Sequence, residues 1–172
     1  WEFYRIRTEG HNVPLLNPGE DPGQKLDATA PIISFRSSEE NATAVVDLSK
    51  AYSETSHRVI RTFEMRNREK VVVTDEIENN DHTDFWWFLH TTADVEIDFT
   101  FRQAILTQNG KQLRVKIEDG PSLAEFDLMD AAPLSTSPTP DQADNSNIRK
   151  LAVHIEDILR FSLVVSFTPI TE

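Results

Sequence analysis

Apolar residues in this chain recur at every second position, segment after segment, and no window shows the 3.6-residue period of an amphipathic helix. In His57–Met65 (HRVIRTFEM), Val59, Arg61, Phe63 and Met65 share one side. In Lys111–Glu118 (KQLRVKIE), Leu113, Val115 and Ile117 do the same. Strands with this period bury one face each, and such faces must be covered by another layer. The one stretch that can be forced into a helix, Ile148–Leu159, is rich in β-branched residues, and its Leu151, Val153 and Ile155 alternate. The expected fold is therefore all-β: a large antiparallel β-sandwich of two packed sheets, with few or no helices, over residues 1–172 as a single domain. A closed barrel or jelly roll is the main alternative.

Turn formers punctuate the pattern. Strands are expected at Glu2–Arg7, Pro31–Phe35, Ala42–Leu48, His57–Met65 and Lys70–Glu78, with Asn67-Arg68 a tight turn between the last two. Asn79–Thr83 (NNDHT) reads as another turn. Asp84–Thr91 (DFWWFLHT) is apolar on both faces and reads as a central strand. Val95–Leu106 supplies one or two strands, and Asn109-Gly110 is the strongest hairpin signal in the chain. Ser122–Leu128 is a weaker strand candidate. Ala131–Asn147, dense in Pro, Ser, Asp and Asn, reads as a long loop before two last strands, Lys150–Ile155 and Phe161–Thr168.

Composition excludes whole classes of function. The chain has 172 residues, 17 Lys plus Arg against 29 Asp plus Glu, and a net charge of -12, which opposes a nucleic-acid partner. An anionic polymer would need local cations or another part of the protein. With no cysteine there are no disulfides and no thiolate metal sites. No run approaches the roughly 18 apolar residues of a membrane helix. There is no Gly-x-Ser-x-Gly elbow and no His-Glu-x-x-His helix, and five glycines make a phosphate loop implausible. Trp1 opens directly into strand-like sequence, so the chain is expected to be a piece of a larger protein.

Candidate chemistry sits in two places. In Arg5–Asn12 (RIRTEGHN), Arg5 and Arg7 are expected on one strand face, with His11 and Asn12 where the chain leaves the strand. Sandwich proteins carry functional groups at such ends, and a His there can serve as acid, base or ligand. On composition alone, a turn-capping His and solvated arginines are the commoner outcome. His90, among Trp86, Trp87, Phe88 and Leu89, must have a hydrogen-bond partner or a metal. A His/carboxylate zinc site from His11, His90 and one of Asp21, Asp27 or Asp47 is conceivable chemically but gets no support from spacing. Adjacent Trp86 and Trp87 must face opposite ways, so only one could stack on a sugar. The acidic run Asp75–Asp84 reads as a solvated loop, and His57, His82 and His154 as surface residues.

RTEGHNVPL resembles the Arg-x-x-x-Gly-His-Asn-Thr-Leu stretch of the heparinase II/III-like polysaccharide lyases, with Val13 and Pro14 in place of Thr-Leu. VVDLSKAY (Val45–Tyr52), VVVTDEI (Val71–Ile77), WWFLHT (Trp86–Thr91) and APLSTSPTP follow in family-like order, and the resemblance spans nearly the whole chain. It implies the C-terminal β-sandwich of an enzyme whose other part is an N-terminal helical toroid. It implies β-elimination on an acidic, uronic-acid-containing polysaccharide in a periplasmic or secreted setting. His11 would be the catalytic His facing the interdomain cleft, with Arg5, Arg7 and Asn12 binding substrate. Several members hold Zn²⁺ through two His and an Asp; His90 matches one such His, with His11 as a second donor. The competing readings are a non-catalytic carbohydrate-binding module and a cupin-like metal protein.

Overall fold

The computed structural model describes residues 2–139 and 141–171. Ten strands run along the chain: β1 (Leu15–Leu16), β2 (Ile32–Ser37), β3 (Ala42–Asp47), β4 (Ser56–Arg66), β5 (Lys70–Thr91), β6 (Asp94–Asp98), β7 (Gln103–Gln108), β8 (Lys111–Asp119), β9 (Asp127–Asp130) and β10 (Arg149–Ile170). Among the described residues the only helical pieces are three 3-10 turns, at Tyr4–Ile6, Thr8–Gly10 and Phe99–Phe101. The all-β expectation holds.

All ten strands are hydrogen-bonded into one antiparallel sheet, ordered β2-β3-β4-β5-β10-β8-β7-β6, with β1 added to β5 and β9 to β10. The expected pair of separate sheets is thus one sheet, built on two strands of 22 residues each. It nevertheless closes on itself. The ring of Trp87 lies 6.4 Å from that of Phe167, whose cross-strand partner is Val71, at the far end of β5. A straight strand would part Val71 from Trp87 by roughly 50 Å. So β5 and β10 bend, and one face of the sheet folds over to form both walls of the core. Phe85, Trp87, Leu151 and Val153 from one half meet Val59, Ile77, Leu163 and Val165 from the other in a single buried cluster.

The bend lies where the sequence carries its turn formers. The NNDHT segment is strand rather than turn, because its backbone stays extended within β5 while the register with β10 slips between Ile155 and Arg160. The extra residue on β10 falls at the corner beside Asp157, at φ 54°, and on β5 residues 79–82 have no partner in β10. Asn79 bridges the corner: its amide nitrogen donates to the Ile158 carbonyl (2.9 Å) and its oxygen accepts from Ser56 Oγ (2.6 Å). For the same reason Lys150–Ile155 and Phe161–Thr168 are two ends of one strand. Asp75, expected in a solvated loop, is fully buried.

Other expectations fare as follows. Asn67-Arg68 and Asn109-Gly110 are tight turns with positive φ at both positions. Ser122–Leu128 contributes only its end, to β9. Glu2–Arg7 is not a strand. Among the described residues no strand pairs with it, and its backbone closes on itself through Arg7 N–H to the Tyr4 carbonyl, 3.2 Å. Pro140, within the predicted Ala131–Asn147 loop, lies outside the described residues, as does Trp1.

Candidate functional site

The β5–β10 register sets opposite one another His90 and Lys150, Phe88 and Ala152, and Trp86 and His154. These six side chains point away from the main core, because their odd-numbered neighbours Phe85, Trp87, Leu151 and Val153 fill it. As the pleat requires, Trp87 is buried in the core and Trp86 lies on the opposite face, stacked on His154 at 3.8 Å and 9°. A small second core of Leu15, Phe88, Leu134 and Ala152 draws two segments over this outer face: the stretch from Tyr4 to Leu16 and the loop after β9.

RTEGHN is tied down at nearly every residue. Arg7, only 2% exposed, donates to the carbonyls of Gly19, Glu20 and Asp21 at 2.5, 2.9 and 2.7 Å, and its Nε lies 3.4 Å from Glu9. Glu9, equally buried, accepts from Leu134 N–H (3.2 Å) and Ser137 Oγ (2.9 Å). The Asn12 carbonyl accepts from Arg61 Nη1 at 2.5 Å, and Arg61 is held by Asp75 through a bidentate pair at 2.6 and 2.8 Å. The buried Tyr52 hydroxyl donates to the Pro14 carbonyl and accepts from Gln24 Nε2 at 2.6 Å. Pieces far apart in sequence thus converge here: VVDLSKAY through Tyr52, VVVTDEI through Asp75, WWFLHT through His90, and APLSTSPTP through Leu134 and Ser137.

His90 is the chemical centre of this packing. Asn12 Oδ1 lies 2.9 Å from both the His90 backbone nitrogen and His90 Nδ1. A backbone N–H only donates, which fixes the Asn12 oxygen in that position and makes Nδ1 a donor too. Nε2 then carries the lone pair, and the Tyr4 hydroxyl donates to it at 2.5 Å. Burial, with the nearby Lys150 and His11 charges, pushes the His90 pKa down to about 4, so the imidazole is neutral near pH 7. Burial beside Glu9 also raises Tyr4 well above the usual phenol range. Lys150 is fully buried below them, its ammonium 4.5 Å from the Phe88 ring centre and 5.2 Å from that of Tyr4, donating to the Ala132 carbonyl at 3.1 Å. Desolvation lowers its pKa to about 8.

The structure sorts the sequence candidates. His11 is exposed, on extended backbone (φ -127°, ψ 161°), and lines a groove of about 430 Å³ together with Thr8, Gln24 and Lys25. Arg5 is exposed but tethered to the late loop, through Asn145 Oδ1 (2.8 Å) and the Asp144 carbonyl (2.9 Å). Arg7 corrects the expectation of a shared arginine face: it turns inward, because three loop carbonyls and Glu9 solvate its guanidinium better than a bare surface would. Asn12 is exposed, yet its side-chain oxygen is engaged by His90. The residues do not fit a zinc ion. Both ring nitrogens of His90 already have partners, and among the described residues no group of three His, Asp or Glu converges. Sequence reasoning missed Tyr4, Glu9, Lys150 and the Arg61–Asp75 pair. One cue was available: Arg61 interrupts the apolar side of β4, and Asp75 interrupts the same side of β5, opposite it.

No family model matches the chain, and no curated protein matches its sequence. Solved structures do. Heparinase III, the BT4657 gene product, superposes over 95% of this chain with a TM-score of 0.71 at 9% identity. The heparan sulfate lyase HepC from Pedobacter heparinus superposes over 96%, at 0.71 and 10%. A further heparinase III covers 91%, at 0.66 and 13%. The chain spans about a quarter of the length of each, 24%, 25% and 23% respectively. This chain therefore has the fold of one portion of the heparinase III structures.

Proposed function

We propose that this chain is the β-sandwich portion of a polysaccharide lyase acting on a uronic-acid polymer, of the heparan type for which its structural neighbours are named. The observation that carries the reading is His11: on a fold shared along 95% of the chain with a heparinase III, the one histidine of the pinned segment opens onto a groove. In β-elimination a base takes the proton α to the uronate carboxylate. The bond to the glycosidic oxygen breaks, a carbon–carbon double bond forms in the uronate, and the departing oxygen receives a proton. An imidazole can both accept and donate a proton, which suits His11 to one of these transfers. Lys25 on the same groove is the local cation that a chain of net charge -12 needs near an anionic sugar. A helical domain of the same protein supplies the remaining catalytic groups and the opposite wall of the cleft, and the enzyme works in the periplasm or outside the cell, where such polymers lie.

The test is the ultraviolet absorbance of unsaturated uronate ends released by the full-length protein from heparan-type and other uronate polymers. His11→Ala is expected to lower kcat at least about a hundredfold, the usual scale for losing a proton-transfer group. Undiminished turnover by that variant ends the assignment.

A further inference from the structure

We infer that His90 is a positioning residue: with Tyr4 behind it and Arg61 alongside, it latches Asn12 from two sides and so fixes the direction of the neighbouring His11 side chain, without a metal. The functional consequence rests on the lyase reading above; the latch itself does not.

The geometry is specific. Asn12 is the residue after His11 and is gripped at both ends of its own structure. Its main-chain carbonyl is held by Arg61 on β4, and its side-chain oxygen by the N–H and Nδ1–H of His90 on β5. Arg61 reaches Asn12 from beside Asp75, ahead of the bend in β5, and His90 reaches it from the far end of β5, beyond the bend; both anchors are themselves clamped, Arg61 by the buried Asp75 and His90 by the Tyr4 hydroxyl. Adjacent residues on extended backbone point opposite ways, so turning Asn12 inward to His90 turns His11 outward to the groove. A residue held from both sides leaves its neighbour few backbone conformations, and a small misplacement of a proton-transfer group is costly in rate. A divalent cation at His90 would have to displace Tyr4 or Asn12 and sit near the ammonium of Lys150, which supplies positive charge there already.

Two substitutions at His90 separate positioning from packing or metal binding. Asparagine places its amide nitrogen near the site of Nδ1 and keeps the donor to Asn12; glutamine places its amide group near Nε2, keeps a partner for Tyr4 and loses that donor. In the full-length enzyme, His90→Gln is expected to lower kcat about tenfold with little change in KM, the scale for a group that orients a working residue, while His90→Asn stays within about threefold. Asn12→Ala, at an exposed site that spares the fold, is expected to match His90→Gln, and the double variant to lose no more than either single one. Equal losses for Asn and Gln at position 90, full activity in Asn12→Ala, or additive losses overturn the latch. So does stoichiometric zinc in the purified protein that disappears with His90→Asn. Nitrogen NMR of histidine-labelled wild type decides the same question without activity. One neutral ring is expected with its proton fixed on Nδ1, and averaged tautomers overturn the inference. If no uronate polymer yields unsaturated ends, the lyase reading fails while the NMR result still stands or falls alone.

Discussion

Each constrained residue in RTEGHN is constrained by a particular neighbour. Gly10 is required because a Cβ there would lie 2.2 Å from the Tyr4 carbonyl oxygen, on rigid backbone with no room to yield. Gly10→Ala is expected to push the Tyr4 turn off His90 and to cost roughly 2 kcal/mol or more, read from urea denaturation. Arg61 and Asp75 form a buried ion pair on what is otherwise an apolar face. Removing one partner strands the other, so Asp75→Ala is expected to destabilise by about 3–5 kcal/mol, whereas the double change Arg61→Met/Asp75→Leu costs clearly less. Denaturation curves of the two variants measure both. Because Arg61 also holds the Asn12 carbonyl, its loss disturbs the site as well as the hairpin.

Among the elements, β5 and β10 decide the architecture because they belong to both walls. Each starts in one layer, bends, and ends in the other, so the corner must let both strands turn and then resume their pairing on the far side. β10 does this with a bulge at Asp157, held in the left-handed region at φ 54°. Asp tolerates that conformation and Gly adopts it without strain, so Asp157→Gly is expected to be neutral or to stabilise by up to about 1 kcal/mol, and Asp157→Val to destabilise. Thermal melts of the two variants check the sign. The tight turn between β7 and β8 follows the same logic, with Asn109 at φ 52° and Gly110 at φ 73°. The β2–β4 wing contrasts with this corner. There the apolar row runs past the core to Phe35 and Phe63, which are 67% and 41% exposed.

For the molecule as a whole, two bases, the half-buried His90 and the buried Lys150, tie stability to pH. The His90 pKa falls from 6.5 to about 4 on folding, and that of Lys150 from 10.5 to about 8. In both cases the unfolded chain binds the proton more tightly, so stability rises with pH across each window. The His90 contribution is complete above about pH 6.5 and is lost as pH falls towards 4. That of Lys150 is complete above about pH 10.5 and is lost as pH falls towards 8. Melting temperatures across both ranges are expected to show the two rising segments, with His90→Asn removing the first and Lys150→Met the second. A wild-type curve flat from pH 6.5 to 4.5 contradicts the neutral, half-buried imidazole.

The order of residues alone established that this chain is all-β and where most of its strands lie. Period-two burial, turn chemistry and hairpin signals are local, so they can be read along the chain. It could not reveal that NNDHT bends a strand rather than ending it, since turn formers mark a change of direction without saying whether pairing continues on the far side. Nor could it reveal that Arg7 is buried, or that Tyr4, His90 and Asn12 form one hydrogen-bonded chain above Lys150. Tertiary structure decided these matters, because a polar side chain's partner is whichever group the β5–β10 register and the covering loops bring within 3 Å or so of it. Those groups come from residues as far apart as Glu9 and Ser137.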